Sequence, residues 1–304
     1  MRLGLGTVQF GMSYGISNQT GKVSANDVRA ILALALHNGI DVLDTATDYG
    51  DSEATLGATL ADDIHSYRVV TKAPSLQKRG ITSNLPQALR QDLLQSLSAI
   101  QCHRVYGYLL HDPRDLLVPT AHKLVEALRE IKQEGLVEKI GVSVYSAAEI
   151  DDILKIFVPD IIQVPISIFD QRLLASGHLA ELKRRGVEIH ARSIFLQGLL
   201  LMESGDAPDF CAPVVGHFQK FSGFIKDAGL TRLEAALAYI EQVEEIDVAL
   251  VGVSSRQELE GIIGAVTRNA ERRVKIPNAS EWAIGDERIV NPALWPKRSA
   301  GQHA

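Results

Sequence analysis

Eight short apolar runs, separated by amphipathic segments, recur from one end of this chain to the other, and nothing else restricts its folds as tightly. The runs are "RLGLGT" (2–7), "DVLDTA" (41–46), "RVVTK" (68–72), "VYGYLLH" (105–111), "KIGVSVY" (139–145), "IIQVPIS" (161–167), "EIHARSIF" (188–195) and "VALVGVS" (248–254). They are apolar nearly throughout, the pattern of parallel strands covered on both faces.

The intervening segments read as helices. Ser24 with Asp27 three residues later has the form of a capping box. Behind it Val28, Ile31, Leu32, Ala35 and Leu36 follow the spacing of one buried helix face, and Asn38-Gly39 ends the segment. The stretch 120–135 repeats the plan with Ala121, Leu124, Val125, Leu128 and Ile131. Further helices are expected at 52–62, 84–100, 147–157, 171–185, 231–245 and 256–266. Eight strands and eight helices in strict alternation imply an α/β fold of (β/α)8 type, a TIM barrel spanning residues 1–304 as one domain. An open doubly wound sheet is the rival. Its first strand–helix turn should carry G-x-G-x-x-G, but "GLGTVQFG" at 4–11 has Gln9 at the third glycine position and shows no sign of a helix start. The stretch 203–229 is an extra connection before the last helix–strand pair. From about 275 a polar, proline-bearing tail follows.

Bulk properties narrow the function classes. The 304 residues carry a net charge of −6, with pI about 5.9 and mean hydropathy near zero. That gives no electrostatic reason to bind nucleic acid or an anionic membrane. The longest apolar run, "ILALAL" at 31–36, is far too short to span a bilayer, and the glycine-broken N-terminus lacks a signal-peptide core. Cys102 and Cys211 are far apart and in no metal-like spacing, and His103, His111 and His122 share no face. A cytoplasmic protein with reduced thiols and no metal is expected. No patch in the sequence specifies an oligomer.

In a (β/α)8 barrel the chemistry sits at the C-terminal strand ends. There Asp44 ends the second run, Tyr49 follows in its loop, Lys72 ends the third and His111 the fourth. Each alone has an ordinary reading as a turn, packing or solvated residue. Together they form a coherent acid–base set. A phenol is a poor acid at neutral pH, and a neighbouring ammonium is expected to lower its pKa. Asp44 can orient Lys72, and His111 can hydrogen-bond a substrate carbonyl beside the Tyr49 hydroxyl. The set suits protonating an oxygen while hydride reaches carbon, or the reverse.

The elements "GIDVLDTATDYGDSEATLG", "TKAP" and "LLHDP" resemble the aldo-keto reductases, and the likeness runs from "LGLGT" to "VGVSSRQELE". The resemblance implies Tyr49 as general acid/base, Lys72 and Asp44 as its tuning pair, and His111 as the group orienting the carbonyl. It also implies a nicotinamide dinucleotide on the barrel rim, with NADP(H) favoured and NAD(H) possible. Ser143 and Gln163 stand where the carboxamide is held. Ser193, Phe195, Gln197 and Gly198 stand at the pyrophosphate loop, and Gly252, Ser254 and Ser255 at the adenosine end, before a helix N-terminus suited to an anion. The expected substrate is a small aldehyde, ketone or sugar, or the corresponding alcohol.

This chain departs from that pattern in three places. Val144 follows Ser143 where many members have Asn. Arg192 stands where many place a Tyr against the nicotinamide; it can stack, recognise an anionic substrate, or pair with an interior acid. Where relatives use basic or amide side chains near a 2′-phosphate, this chain has Gln257, Glu258, Gly261 and Ile262, with Arg256 close by. Two other readings compete: a lyase forming a Schiff base on Lys72, and a non-catalytic, cofactor-binding regulatory protein on the same fold.

Overall fold

The computed structural model describes residues 2–16, 18, 20–80 and 84–296. Its eight strands are β1 (Arg2–Gly6), β2 (Val42–Asp44), β3 (Arg68–Ala73), β4 (Val105–Leu110), β5 (Val137–Ser143), β6 (Ile161–Pro165), β7 (Glu188–Arg192) and β8 (Val248–Gly252). All pair in parallel, each with its sequence neighbours, and β8 closes on β1 with Arg2 opposite Val248 and Gly6 opposite Gly252. This is the (β/α)8 barrel that the eight apolar runs imply.

Apolar strands close into a barrel here because both of their faces are covered. Val42, Val70, Leu109, Ile161, Val248 and Leu250 fill the interior, none more than 6% exposed. Outside, helix faces supply Val28, Ile31, Leu32 and Ala35 from Ala25–His37, and Leu124, Val125, Leu128 and Ile131 from Ala121–Gln133. The Ser24 hydroxyl accepts the Asp27 backbone N–H, as its spacing predicts. Leu36, expected on the buried face, is 37% exposed, because it lies at the edge of the helix stripe.

The apolar plug separates two polar ends of the barrel. At the N-terminal end, Arg68 donates to Asp41 at 2.9 Å, and Glu188 takes Tyr106 and His190 at 2.7 Å each. Lys139 also reaches Glu188. Against the cost of burial, the bonds from His190, Lys139 and Tyr106 hold the Glu188 carboxyl well below the usual range. At the C-terminal end lie the residues singled out above.

Three local features differ from the sequence reading. A single helical turn, Val8–Gly11, follows β1 directly, where no helix start was expected. The segment 171–185 is two pieces, Arg172–Ala175 and His178–Arg184, broken at Gly177 with φ +77°. The extra connection contains a 13-residue helix, Val215–Asp227, whose Phe218, Phe221 and Ile225 are buried. The tail packs beside it. Trp282 meets Phe221 and Phe224 at 5.1 and 5.2 Å, and Ile284 N–H donates to Phe169 O, just beyond β6. Among the described residues no helix is long and apolar enough to cross a membrane.

Closure of β5 on β6 depends on a missing side chain. A Cβ built on Gly141 lies 1.8 Å from the Ile161 carbonyl oxygen, so any other residue forces the strands apart. We expect Gly141→Ala to destabilise the protein by about 2 kcal/mol or more and to lower its melting temperature by several degrees. Gly205→Ala, with open space at its Cβ, serves as the control in the same thermal melt.

Candidate active site at the barrel mouth

Lys72, on β3, is 1% exposed, and its ammonium is fully engaged. Nζ donates to Asp44 Oδ1 at 2.8 Å, to Asp44 Oδ2 at 2.9 Å and to the Thr45 carbonyl at 2.8 Å. Asp44, the last residue of β2 and 5% exposed, also accepts a hydrogen bond from Gln163 Nε2 on β6. Three strand ends thus converge on one carboxylate.

The loop after β2 brings Tyr49 onto this pair. Its hydroxyl is 3.4 Å from Lys72 Nζ, which also lies 4.8 Å from the ring centroid. The loop is held from beneath by the turn after β1. A Cβ on Gly11 sits 1.7 Å from Tyr49 O, so only glycine admits this approach. Ser52 Oγ donates to Thr7 O at 2.8 Å and Thr7 Oγ1 to Asp44 O at 3.0 Å, tying the same two segments together. His111, immediately after β4, meets the Tyr49 ring edge-on at 5.8 Å. Its Nδ1 lies 3.4 Å from Asp48 Oδ2 without forming a hydrogen bond.

Burial governs the electrostatics. Tyr49 is pushed above the ordinary phenol range, first by burial and then by the Asp44 charge, with Arg192 opposing. The expected lowering by Lys72 is therefore not what the protein does, because Asp44 neutralises that ammonium where it stands. Lys72 itself is shifted down by burial, against the pull of Asp44. His111 is also shifted down, by burial, with Asp48 opposing and Lys72 adding to the shift. Near neutral pH the site therefore presents a protonated phenol and an uncharged imidazole.

The rim residues form two groups. Ser143 and Arg192 end β5 and β7 and Gln163 lies mid-strand in β6, with Ser143 in register with Gln163 and Pro165 with Arg192. Gln163 Oε1 is buried without a partner. Arg192 finds no acid among the described residues, which removes the interior-pair reading. Its Nε donates to Ser143 Oγ at 3.2 Å and its Nη2 to the Val144 carbonyl at 2.7 Å, and its Cζ lies 4.0 Å over the Tyr145 ring. In the loop after β7, Ser193, Leu196, Gln197 and Gly198 all have positive φ. Phe195 is buried there. Gln197 is spent on the loop after β1, donating Nε2 to Tyr14 Oη at 3.0 Å and accepting Ile16 N–H at 3.1 Å through its carbonyl.

The second group is the adenosine-end trio. Gly252 closes β8, and a Cβ there would meet the Gln9 carboxamide at 2.7 Å. Ser255 caps the helix Arg256–Arg272 by accepting Glu258 N–H, and Glu258 returns its carboxylate to Ser254 N–H at 2.6 Å. The helix N-terminus already holds an anion of its own. Arg256 is paired with Glu260 at 2.8 Å.

Sequence reasoning missed Asp48, Thr45 and Tyr145. Asp48 and Thr45 lie within the quoted "DTATDYG", and Tyr145 stands two residues past Ser143. Their roles rest on which way side chains and carbonyls turn in loops, which no spacing encodes. Among the described residues no cluster of three or more His, Cys, Asp or Glu is arranged to hold a metal.

Comparison with known proteins points the same way. A family model described as the aldo/keto reductase family matches residues 2–273. The chain is 32% identical over 154 residues to aflatoxin B1 aldehyde reductase member 2 of Rattus norvegicus, a match covering 49% of this chain and 38% of that protein. It thus spans well under half of that relative's length. It is 26% identical over 283 residues to L-galactose dehydrogenase of Arabidopsis thaliana, covering 87% and 85% of the two chains. Among solved structures, aldo-keto reductase AKR11C1 from Bacillus halodurans (holo form) shares the fold with a TM-score of 0.73, at 21% identity over 94% of this chain and 93% of that one. With a family model over nearly its whole length and the closed parallel barrel that model requires, this chain belongs to the aldo/keto reductase family of oxidoreductases.

Proposed function

We propose that this chain reduces the carbonyl of a small aldehyde, ketone or sugar, or oxidises the corresponding alcohol, using a nicotinamide dinucleotide, with Tyr49 as general acid/base. The observation that carries this reading is the convergence of Tyr49, the Lys72–Asp44 pair and His111 at one end of the barrel. The cofactor supplies or accepts the hydride. Everything else falls to the protein. Tyr49, protonated across the neutral range, gives its proton to the carbonyl oxygen as negative charge develops there. His111, uncharged and edge-on to Tyr49, orients that oxygen. Lys72 and Asp44 fix the phenol from behind.

The residues present fit a dinucleotide. The Ser143 hydroxyl can donate, and the buried, unpartnered Gln163 Oε1 can accept. A carboxamide offers one acceptor and two donors, so this pair matches it. Family resemblance favours NADP(H), but the electrostatics of the adenosine end weigh the other way. From Gly252 to Ile262 the one cation, Arg256, is engaged by Glu260, and Glu258 lies beside it. A 2′-phosphate must compete with Glu260 for this arginine and is repelled by the Glu258 carboxylate. We therefore propose that NAD(H) binds at least as tightly as NADP(H).

Neither alternative fits as well. A Schiff base on Lys72 requires a free amine, whereas its three N–H groups go to Asp44 and Thr45 and its side chain is sealed. A purely regulatory role is separated from turnover by experiment.

We expect Tyr49→Phe to bind dinucleotide normally while losing roughly 100-fold or more in kcat across a carbonyl panel. Dinucleotide binding by the wild type with no turnover on any carbonyl would instead favour the regulatory reading. Because the Tyr49 pKa is raised and that of His111 lowered, kcat/KM for reduction should stay level from about pH 7 to about pH 9. It should decline only as the phenol ionises above that range. A fall centred near pH 7 would refute these assignments. In fluorescence titrations NADH should bind within about threefold of NADPH or tighter, and Glu258→Gln should improve NADPH selectively.

A further inference from the structure

Arg192 is a cation at the mouth that the proposed reaction leaves unused. No carboxylate pairs with it among the described residues, although it is only partly exposed. Its Nε goes to Ser143 Oγ and its Nη2 to the Val144 carbonyl, with Ser193 Oγ 3.5 Å from Nη1. All three acceptors are neutral. Tyr145 covers one face of the guanidinium, 4.0 Å from Cζ. These bonds and the Tyr145 ring fix the plane of the guanidinium against the ends of β5 and β7. It is a fixed plate whose charge no carboxylate pairs with among the described residues.

That plate is joined to the carboxamide-binding pair, since its Nε is 3.2 Å from Ser143 Oγ. A nicotinamide held by Ser143 and Gln163 would lie beside a cation that has no carboxylate partner among the described residues. The two redox states of that ring differ in charge: the oxidised ring is a cation and the reduced ring is neutral. Tyr49, Lys72 and His111 also feel the Arg192 charge, as expected for a group facing the same space.

We propose that Arg192 is a specificity-determining residue for the redox state of the cofactor, favouring the reduced dinucleotide over the oxidised one. This biases the site toward carbonyl reduction, because the oxidised product is released more readily than the reduced cofactor. The proposal rests on the dinucleotide reading above. One unscreened charge beside the ring changes the binding ratio by roughly tenfold, and by less at high salt.

The test is calorimetric titration of wild type, Arg192→Gln and Arg192→Lys with NADH, NAD+, NADPH and NADP+ at low and high ionic strength. In wild type and Arg192→Lys the reduced form should bind about tenfold tighter than the oxidised form, with the gap narrowing as salt rises. In Arg192→Gln, which keeps a hydrogen-bonding side chain but no charge, the gap should shrink to about threefold or less, mainly because the oxidised form binds better. An unchanged ratio in Arg192→Gln, with both forms still binding, would overturn the assignment. Should wild type bind none of the four, the dinucleotide reading falls and this one falls with it.

Discussion

The Lys72–Asp44 ion pair is the constraint from which the rest of the mouth follows. Removing two charges from water costs several kcal/mol per ion, and mutual attraction offsets this only when the geometry is held closely. Here it is held by three strands: β3 supplies the ammonium, β2 the carboxylate and β6 the Gln163 amide on that carboxylate. The Thr45 carbonyl takes the third ammonium proton. Strand register is therefore a condition of the chemistry, since a slip of one residue would send each of these side chains to the helix layer.

The pair also explains why the phenol behaves as it does. With Lys72 neutralised locally, Tyr49 stands over a polar but balanced base inside a largely desolvated loop. It stays an acid rather than becoming a phenolate. A positive charge without a carboxylate partner among the described residues stands at the end of β7, at Arg192. Lys72 is thus locked to Asp44 and Thr45 beside the phenol, while Arg192 acts on the same phenol from β7 with no carboxylate partner.

Much of this was legible in the residues. The eight apolar runs each became a strand, because parallel strands covered on both faces need continuous hydrophobicity. The four strand-end groups converged, because the fold places all such ends on one face. What stayed hidden depends on loop geometry. The Gln197 side chain bonds Tyr14, a contact that no spacing announces, because two loops distant in sequence are adjacent around the closed barrel. Glu258 is legible in the sequence as an acid near the place of a 2′-phosphate, but its bond to Ser254 N–H depends on how the loop turns. The helix Val215–Asp227 was missed although Phe218, Phe221 and Ile225 keep helical spacing, because Gly216 and Gly223 weaken the local signal.

The seam between β1 and β8 has a consequence for the way this chain is made. Residues 2–6 leave the ribosome well ahead of their partners at 248–252, which come roughly 240 residues later. At about 5–20 residues per second, the open edge of β1, with Leu3 and Leu5, waits some 10–50 seconds for its neighbour. Throughout that interval the nascent chain carries an unpaired apolar edge, the condition that recruits chaperones or invites association with another chain.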